Sequence, residues 1–331
     1  RPGKKAAVLR AAAFFHPGRG RERGKDMARR RQGGKKRGSL VGTLVFALAL
    51  LLMYAASSLG LVSWGGGEDR VDLAVTALPE DGLFAAYIDV GQGDSALLAC
   101  GGETLLIDAG VSSEGETVVE YLKSRGVTEL DYVVCTHAHE DHCGGLDAVI
   151  ENFDVGTLFA PYTEFDSSGA FTRFEDTAAE KGLFVTVPPL GAEFTLGDAV
   201  FEFAGPVSDW GGDLNDSSLV LRIEYGETAF LFTGDISAGA LEDCALIGGF
   251  DLGCDVLKLG HHGSSSSTDE EVLDLTRPEL AVACCGEGNS YGHPHEEVVQ
   301  LLESRNITLL RTDTDGTIEL VSDGQKILQA A

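Results

Sequence analysis

Between Cys135 and Gly145 the chain reads CTHAHEDHCGG. The apolar stretch 132–135 before it reads as a short buried strand, and 146–152 after it as a helix. His137, His139, Asp141 and His142 therefore fall where the backbone leaves a strand and bends into a helix. His137 and His139 can point to one side of that turn, with Asp141 and His142 one step further on. Imidazole nitrogen and carboxylate oxygen are the donors that suit zinc, manganese or iron. A patch of surface histidines is the plain alternative. H-x-H-x-D-H spacing between an apolar strand and a Gly-Gly turn favours a metal site instead. Such a segment cannot close a site alone, so the fold must bring further donors to it.

Other segments can supply them. Asp235 follows the strong strand 228–233 in TGD; its carboxylate can bridge two ions, or cap the helix after Ser237. His261 and His262 follow the strand 255–259 in LKLGHHGS, and one of the pair can supply the last imidazole. Asp108 closes the strand 103–108 in LLIDAG and can orient a metal-bound histidine from behind. His293, in YGHP, is a candidate substrate contact or proton donor; the alternative is a turn residue ahead of the helix 295–304. Ser264 and the serines after it offer hydroxyls and backbone N–H groups to a phosphate, although a polar loop explains most of them. Lys258 can contact an anion; a solvated lysine is the plainer reading.

Charge divides the 331 residues into zones. The chain holds 25 Lys+Arg and 52 Asp+Glu; 14 of the basic residues and two of the acids, Glu22 and Asp26, lie in 1–37. That segment reads as a disordered basic cytoplasmic tail. The remaining 11 basic and 50 acidic residues make the rest of the chain strongly acidic. Residues 40–62 (LVGTLVFALALLLMYAASSLGLV) carry no charge, and a bilayer core takes about 20 apolar residues as helix. With the basic block on its N-terminal side, this segment predicts a single-pass membrane anchor, N-terminus inside and the rest outside. A cleaved signal peptide, giving a secreted protein, is the alternative; the run exceeds the usual signal core of ~7–15 residues. Residues 63–72 read as a linker with Trp64 at the outer interface, and 73–331 as one domain.

In that domain, strands are expected at 83–90, 95–100, 103–108, 132–135, 155–160, 184–187, 199–204, 218–225, 228–233, 255–259 and 281–285. Helices are expected at 117–125, 146–152, 170–181, 238–246, 269–275 and 295–304, and 308–311 with 317–321 as a hairpin around Asp313. Many strands follow one another directly, which predicts packed sheets with helices outside.

The ordered set LF…YIDVGQGDS, LLIDAG, THAHEDHCGG, NDSSLVLRIEYG, LFTGD, LKLGHHGSSSS and YGHP resembles the metallo-β-lactamase superfamily, and its competence-type branch in particular. That branch is the hydrolase-like domain of the ComEC family of DNA-uptake proteins and its stand-alone relatives. The resemblance spans about residues 83–310. It implies an α/β fold, a four-layer αββα sandwich, with one or two divalent metal ions, zinc or manganese, at the edge of the sheets. By that resemblance His137 and His139 bind one metal, Asp141 and His142 the other, Asp235 bridges them, and His261 or His262 completes the second site. Asp141 is also implied to orient the nucleophile. Two departures matter. No histidine lies between Cys143 and Gly260, and Asn215 stands near where the superfamily usually has one, which leaves the first metal short of a ligand. The chain also has one apolar span, so it is no pore by itself.

These readings predict a membrane-anchored, extracytoplasmic, metal-dependent hydrolase of phosphodiesters, acting on nucleic acid or a small phosphodiester. The acidity of the domain disfavours long nucleic acid. A non-catalytic extracellular binding domain on the same scaffold is the competing expectation, and no obligate protein partner is evident. Seven cysteines, an odd count with Cys284 next to Cys285, do not form a disulfide framework. Cys135 and Cys143 flank the motif as buried thiols or adventitious ligands.

Overall fold

The computed structural model describes residues 77–165, 167–207 and 211–330. The expected basic tail, the apolar segment 40–62 and the linker 63–72 lie outside the described residues. Among the described residues, no helix is long and apolar enough to cross a membrane.

Apolar runs cut by glycine turns open the fold: β1 (Leu83–Tyr87), β2 (Ala96–Cys100) and β3 (Glu103–Ile107). Gly101 and Gly102 alone join β2 to β3, both at positive φ (61° and 88°), the geometry a two-residue hairpin turn demands. After helix α1 (Gly115–Ser124) come β4 (Glu129–Val134), the short helix α2 (Glu140–Cys143), α3 (Leu146–Asn152), β5 (Asp154–Phe159), α4 (Gly169–Glu180) and β6 (Val185–Thr186). Four antiparallel strands follow: β7 (Glu193–Leu196), β8 (Ala199–Gly205), β9 (Val220–Tyr225) and β10 (Thr228–Phe232). The chain then runs α5 (Ala238–Leu246), β11 (Val256–Lys258), α6 (Glu270–Thr276), β12 (Leu280–Ala283), α7 (Glu296–Ser304), β13 (Thr308–Arg311), α8 (Thr312–Asp315), β14 (Ile318–Ser322) and β15 (Ile327–Gln329).

The strands form two mixed sheets. One has the order β15-β14-β1-β2-β3-β4-β5-β6, the other β13-β12-β11-β10-β9-β8-β7. Between them lies an apolar layer in which Leu98, Leu105, Ile107 and Phe159 of the first sheet meet Phe201, Phe203, Phe230 and Phe232 of the second. Val118, Val119 and Leu122 of α1, with Val149 of α3 and Phe171 and Phe174 of α4, cover the outer face of the first sheet. Leu241 of α5, Leu273 of α6 and Leu302 of α7 cover that of the second. The order is helix, sheet, sheet, helix, as expected. Strands buried on both faces explain why their apolar runs are continuous rather than alternating.

One expectation fails. Residues 308–321 do not form a hairpin: β13 pairs in parallel with β12 in the second sheet, and β14 pairs antiparallel with β1 in the first. Buried Thr312 anchors the crossing, its Oγ1 accepting from Cys285 N (2.9 Å) and donating to Cys285 O (3.1 Å). The two short edge strands β7 and β15 were not anticipated; few of their residues are buried, so they carry little hydrophobic signal. All seven cysteines are buried free thiols.

Parallel strands end together, and their carboxyl ends set the site. Asp108 follows β3, His137 follows β4, Asp235 follows β10 and His261 follows β11. Crevices beyond the carboxyl ends of parallel strands are where α/β folds hold ligands. The 261–268 turn after β11 ends at the cap of α6, where Asp269 accepts from Val272 N (2.9 Å). Asp269→Ala is expected to cost about 1 kcal/mol, a fall in melting temperature of roughly 2–4 °C, readable by calorimetry; an unchanged midpoint would deny that cap a role.

Candidate metal centre

Asp108 is fully buried with φ 58°, a left-handed conformation that Asp tolerates better than most residues. Its Oδ1 accepts from Thr136 N (2.8 Å), and its Oδ2 from Thr136 Oγ1 (2.6 Å). The same Oδ2 lies 2.9 Å from Nδ1 of His142. A carboxylate can only accept there, so Nδ1 of His142 carries a ring proton and Nε2 is the nitrogen left for a cation. That nitrogen points at Asp235, 3.2 Å from Oδ1. Asp235 reaches this point because Gly234 lets two segments touch: a Cβ on Gly234 would lie 2.8 Å from the Ser218 side chain and 3.1 Å from Thr136. Ser218 Oγ in turn accepts from Asp235 N (3.0 Å). The cap of α5 is Ser237, so the carboxylate of Asp235 is left for the cluster.

Beside Asp235 on the second sheet, His261 and His262 both sit at left-handed φ (48° and 58°), a strained backbone of the kind that collects at functional sites. His262 Nε2 lies 3.3 Å from Asp141 Oδ2 and 3.6 Å from Asp235 Oδ2; His261 Nε2 lies 3.7 Å from Asp235 Oδ2. Nε2 of His137 and Nδ1 of His139 face one another at 3.0 Å. His137 and His142 are 4.2 Å apart between ring centres, and His142 and His262 are 5.3 Å apart. The structure thus brings His137, His139, Asp141, His142, Asp235, His261 and His262 to one place. Asp235 stands among them.

The buried atoms test whether a cation fits. His142 Nε2, His262 Nε2 and Asp235 Oδ1 are all buried and make no hydrogen bond. Orphaned polar atoms of this kind are costly unless something else satisfies them. Imidazole nitrogens and carboxylate oxygens converging without partners are the donor set of a divalent metal. The electrostatics agree. Burial pushes His142 down, but the carboxylates of Asp235 and Asp108 hold it well above the ordinary histidine range. Burial also pushes His262 down, but Asp235 and Asp94 overcome it and raise the ring to about 9. Burial favours the neutral acid in Asp235, yet the His142 and His262 charges hold it well below the usual carboxylate range. Protons on the rings stand where a cation would displace them.

Residues 88–287 match the model of the metallo-beta-lactamase superfamily. The chain belongs to that superfamily. Its relatives place it in the competence-type branch. It is 33% identical over 250 residues to ComE operon protein 3 of Bacillus subtilis, covering 70% of this chain and 32% of that protein. It is 34% identical over 280 residues to competence protein ComA of Neisseria gonorrhoeae, covering 83% and 38%. The chain therefore spans about a third of the length of these curated relatives. Among solved structures, the metallo-beta-lactamase fold protein YhfI of Bacillus subtilis aligns over 76% of this chain and 100% of its own, with 12% identity and a TM-score of 0.48.

In this superfamily member the cluster floors an open cleft of about 340 Å³ lined by Gln92, His139, Glu140, Asp141, Asp235, His261, His262, Tyr291 and His293. His293 lies on the wall, its ring 5.3 Å from His261 and 5.6 Å from Tyr291, which is 66% exposed. Burial and the charges of His262 and His261 push His293 down to about 4, so it is neutral at pH 7. Asn289 pins this loop: its Oδ1 accepts from His293 N (3.0 Å) and Tyr291 N (3.2 Å), and its Nδ2 donates to Gly286 O and His293 O. Two candidates do not line the cleft. Asn215 makes no hydrogen bond to the cluster, and its Oδ1 is buried without a partner. Ser264 spends its hydroxyl on Ser266 (2.9 Å) and its N–H on His261 O, so it is not directed at a substrate. Cys135 donates to His137 O (3.2 Å), and burial keeps its thiol protonated.

Sequence reasoning missed Asp94, Ser218, Thr136 and Tyr291, and it misread Lys258. Lys258 is not solvated: it is 2% exposed and ion-paired with Asp94. The signal for Asp94 lies in GQGDS, where the acid follows two glycines that read as a turn.

Proposed function

We propose that this domain is a metal-dependent phosphodiester hydrolase held on the outer face of a membrane by residues 40–62. The observation that carries the reading is the convergence of three unpartnered buried atoms, His142 Nε2, His262 Nε2 and Asp235 Oδ1, at an open cleft that Asp235 and His262 line. In this reading His137 and His139 hold one cation, Asp141, His142 and His262 a second, and Asp235 serves both. A divalent cation bound there supplies Lewis-acid chemistry, lowering the pKa of water towards ~7 and offsetting charge on a phosphoryl oxygen.

The chain's own residues do the rest. Burial opposes ionisation of Asp141, but His262 and His142 hold it well below the usual carboxylate range. It stays an acceptor that orients an attacking water by its proton. Neutral His293 offers a hydrogen bond to a substrate oxygen at the cleft wall. Tyr291, held by the Asn289 loop, offers an aromatic face beside it. No Lys or Arg lines the cleft among the described residues. With 50 acids against 11 basic residues beyond position 37, this supports a short or small phosphodiester over a long polyanion. The charge-free segment 40–62 after a basic block supports display at a membrane.

The full chain, loaded with zinc or manganese, is expected to hydrolyse bis(4-nitrophenyl) phosphate, and His139→Ala to lose that activity. Bound metal without turnover would favour a binding domain; an active His139→Ala variant would remove the catalytic reading. Tyr291→Ala is expected to raise KM for this aromatic diester by about tenfold, the loss of one ring contact, with kcat unchanged. Equal KM values for the variant and the wild type would deny Tyr291 a part in binding.

A further inference from the structure

Behind the imidazoles lies a second buried layer of charge. Asp94, 7% exposed, comes from the loop before β2, and Lys258, 2% exposed, from the end of β11. They form an ion pair. Asp94 Oδ1 lies 3.1 Å from His262 Nδ1, and its Oδ2 lies 3.8 Å from His142 Nδ1. His262 Nδ1 also lies 3.0 Å from Cys284 O. Both partners of that nitrogen are acceptors only, so it must carry the ring proton. The opposite nitrogen, Nε2, is then the one left for a cation, on the side of Asp141 and Asp235. The void beside the pair measures about 10 Å³, room for one water at most, so solvent cannot replace the counter-charge.

Asp94 has two possible roles here. Asp94, His142, Asp235 and His262 offer donor atoms within 4.8 Å of one another, which would allow Asp94 to be a ligand itself. The geometry points elsewhere: Asp94 faces the Nδ1 side of His262, while Asp141 and Asp235 face the Nε2 side. Its second oxygen is held by Lys258. We infer that Asp94 and Lys258 form a buried, charge-neutral clamp that fixes His262, and with Asp108 His142, so that both rings present Nε2 to the cation. Lys258 is a positioning residue: it touches neither substrate nor cation. Its work is to let a carboxylate orient the rings without adding a net negative charge to a centre that already holds Asp108, Asp141 and Asp235.

This inference rests on the ligand set proposed above. It is tested on the full chain with Lys258→Met, Asp94→Asn and the double variant, by zinc affinity against a chelating dye and by ring-nitrogen NMR of the histidines. Lys258→Met strands the Asp94 carboxylate, and zinc affinity is expected to fall roughly 10–100-fold, as for lost outer partners of metal ligands. The double variant removes both charges, while the amide oxygen introduced at position 94 still accepts from His262 Nδ1. It is expected to recover to within about tenfold of wild type and to keep the Nδ1–H signal of His262. Should Lys258→Met fail to fold, the double variant decides alone. Wild-type affinity and an unchanged His262 signal in Lys258→Met would overturn the clamp. So would an Asp94→Asn loss that the second substitution does not repair, which would make Asp94 a ligand. Failure of the wild type to bind zinc would instead remove the ligand set itself.

Discussion

Replacing Asp235 by alanine is expected to abolish metal-dependent hydrolysis and to lower the metal content of the purified chain. The expectation follows from where its carboxylate stands. Oδ1 meets His142 Nε2 at 3.2 Å, and Oδ2 lies within 3.7 Å of Nε2 on both His261 and His262. Among the ion pairs of the described residues, Asp235 alone meets Nε2 of both His142 and His262. Removal therefore takes a donor from the middle of the cluster, not from its rim. The loss in kcat/KM should exceed the ~10–100-fold that losing a partner behind a ligand costs. Asp235→Asn keeps the volume but offers a poorer, neutral donor, and it should fall between alanine and wild type in metal content. Hydrolysis by Asp235→Ala within tenfold of wild type would show that the centre works without this carboxylate.

Asp108→Ala is the second large effect, and it is one of stability. Asp108 accepts from Thr136 N, Thr136 Oγ1 and His142 Nδ1, all buried. Alanine strands all three. Breaking a buried hydrogen-bonded charge pair costs about 3–5 kcal/mol, which for a domain of this size is a fall of roughly 6–20 °C in melting temperature. Alanine is also poorly suited to φ 58°. Asp108→Asn tolerates that backbone and keeps one acceptor, but its NH₂ group must face a donor, so a smaller loss of about 1–3 kcal/mol is expected. Calorimetry on the metal-free chain checks both. A fall below about 2 °C for alanine, less than 1 kcal/mol here, would contradict the account of Asp108 as the anchor behind His142.

How much of this was legible in the sequence differs between fold and site. Helices 146–152 and 238–246 have the expected bounds: the first buries Leu146, Val149 and Ile150 at helical spacing, and the second starts at the capping hydroxyl of Ser237. Strands β3 and β10 end one residue before the expected limits, because Asp108 and Thr233 already belong to the turns that carry the site. The 308–321 segment was misread because pairing partners distant in sequence, not local turn chemistry, decide which sheet a strand joins. In the site, the donors that touch one another were legible because unusual residue types cluster at strand ends. Asp94 and Lys258 were not. A lone lysine in LKLG has no local signature of burial; only the tertiary fold, by placing against it an acid from far earlier in the chain, makes it an interior charge.

The most direct test of the central claim is to locate the cations themselves, by anomalous diffraction at the metal edge from crystals of the chain grown with zinc or manganese. A peak bonded to Nε2 of His142 and His262 and to Asp235, within reach of Asp141, is the expected result. A map with no peak among these side chains, or with the metal held only by surface acids elsewhere, would contradict it.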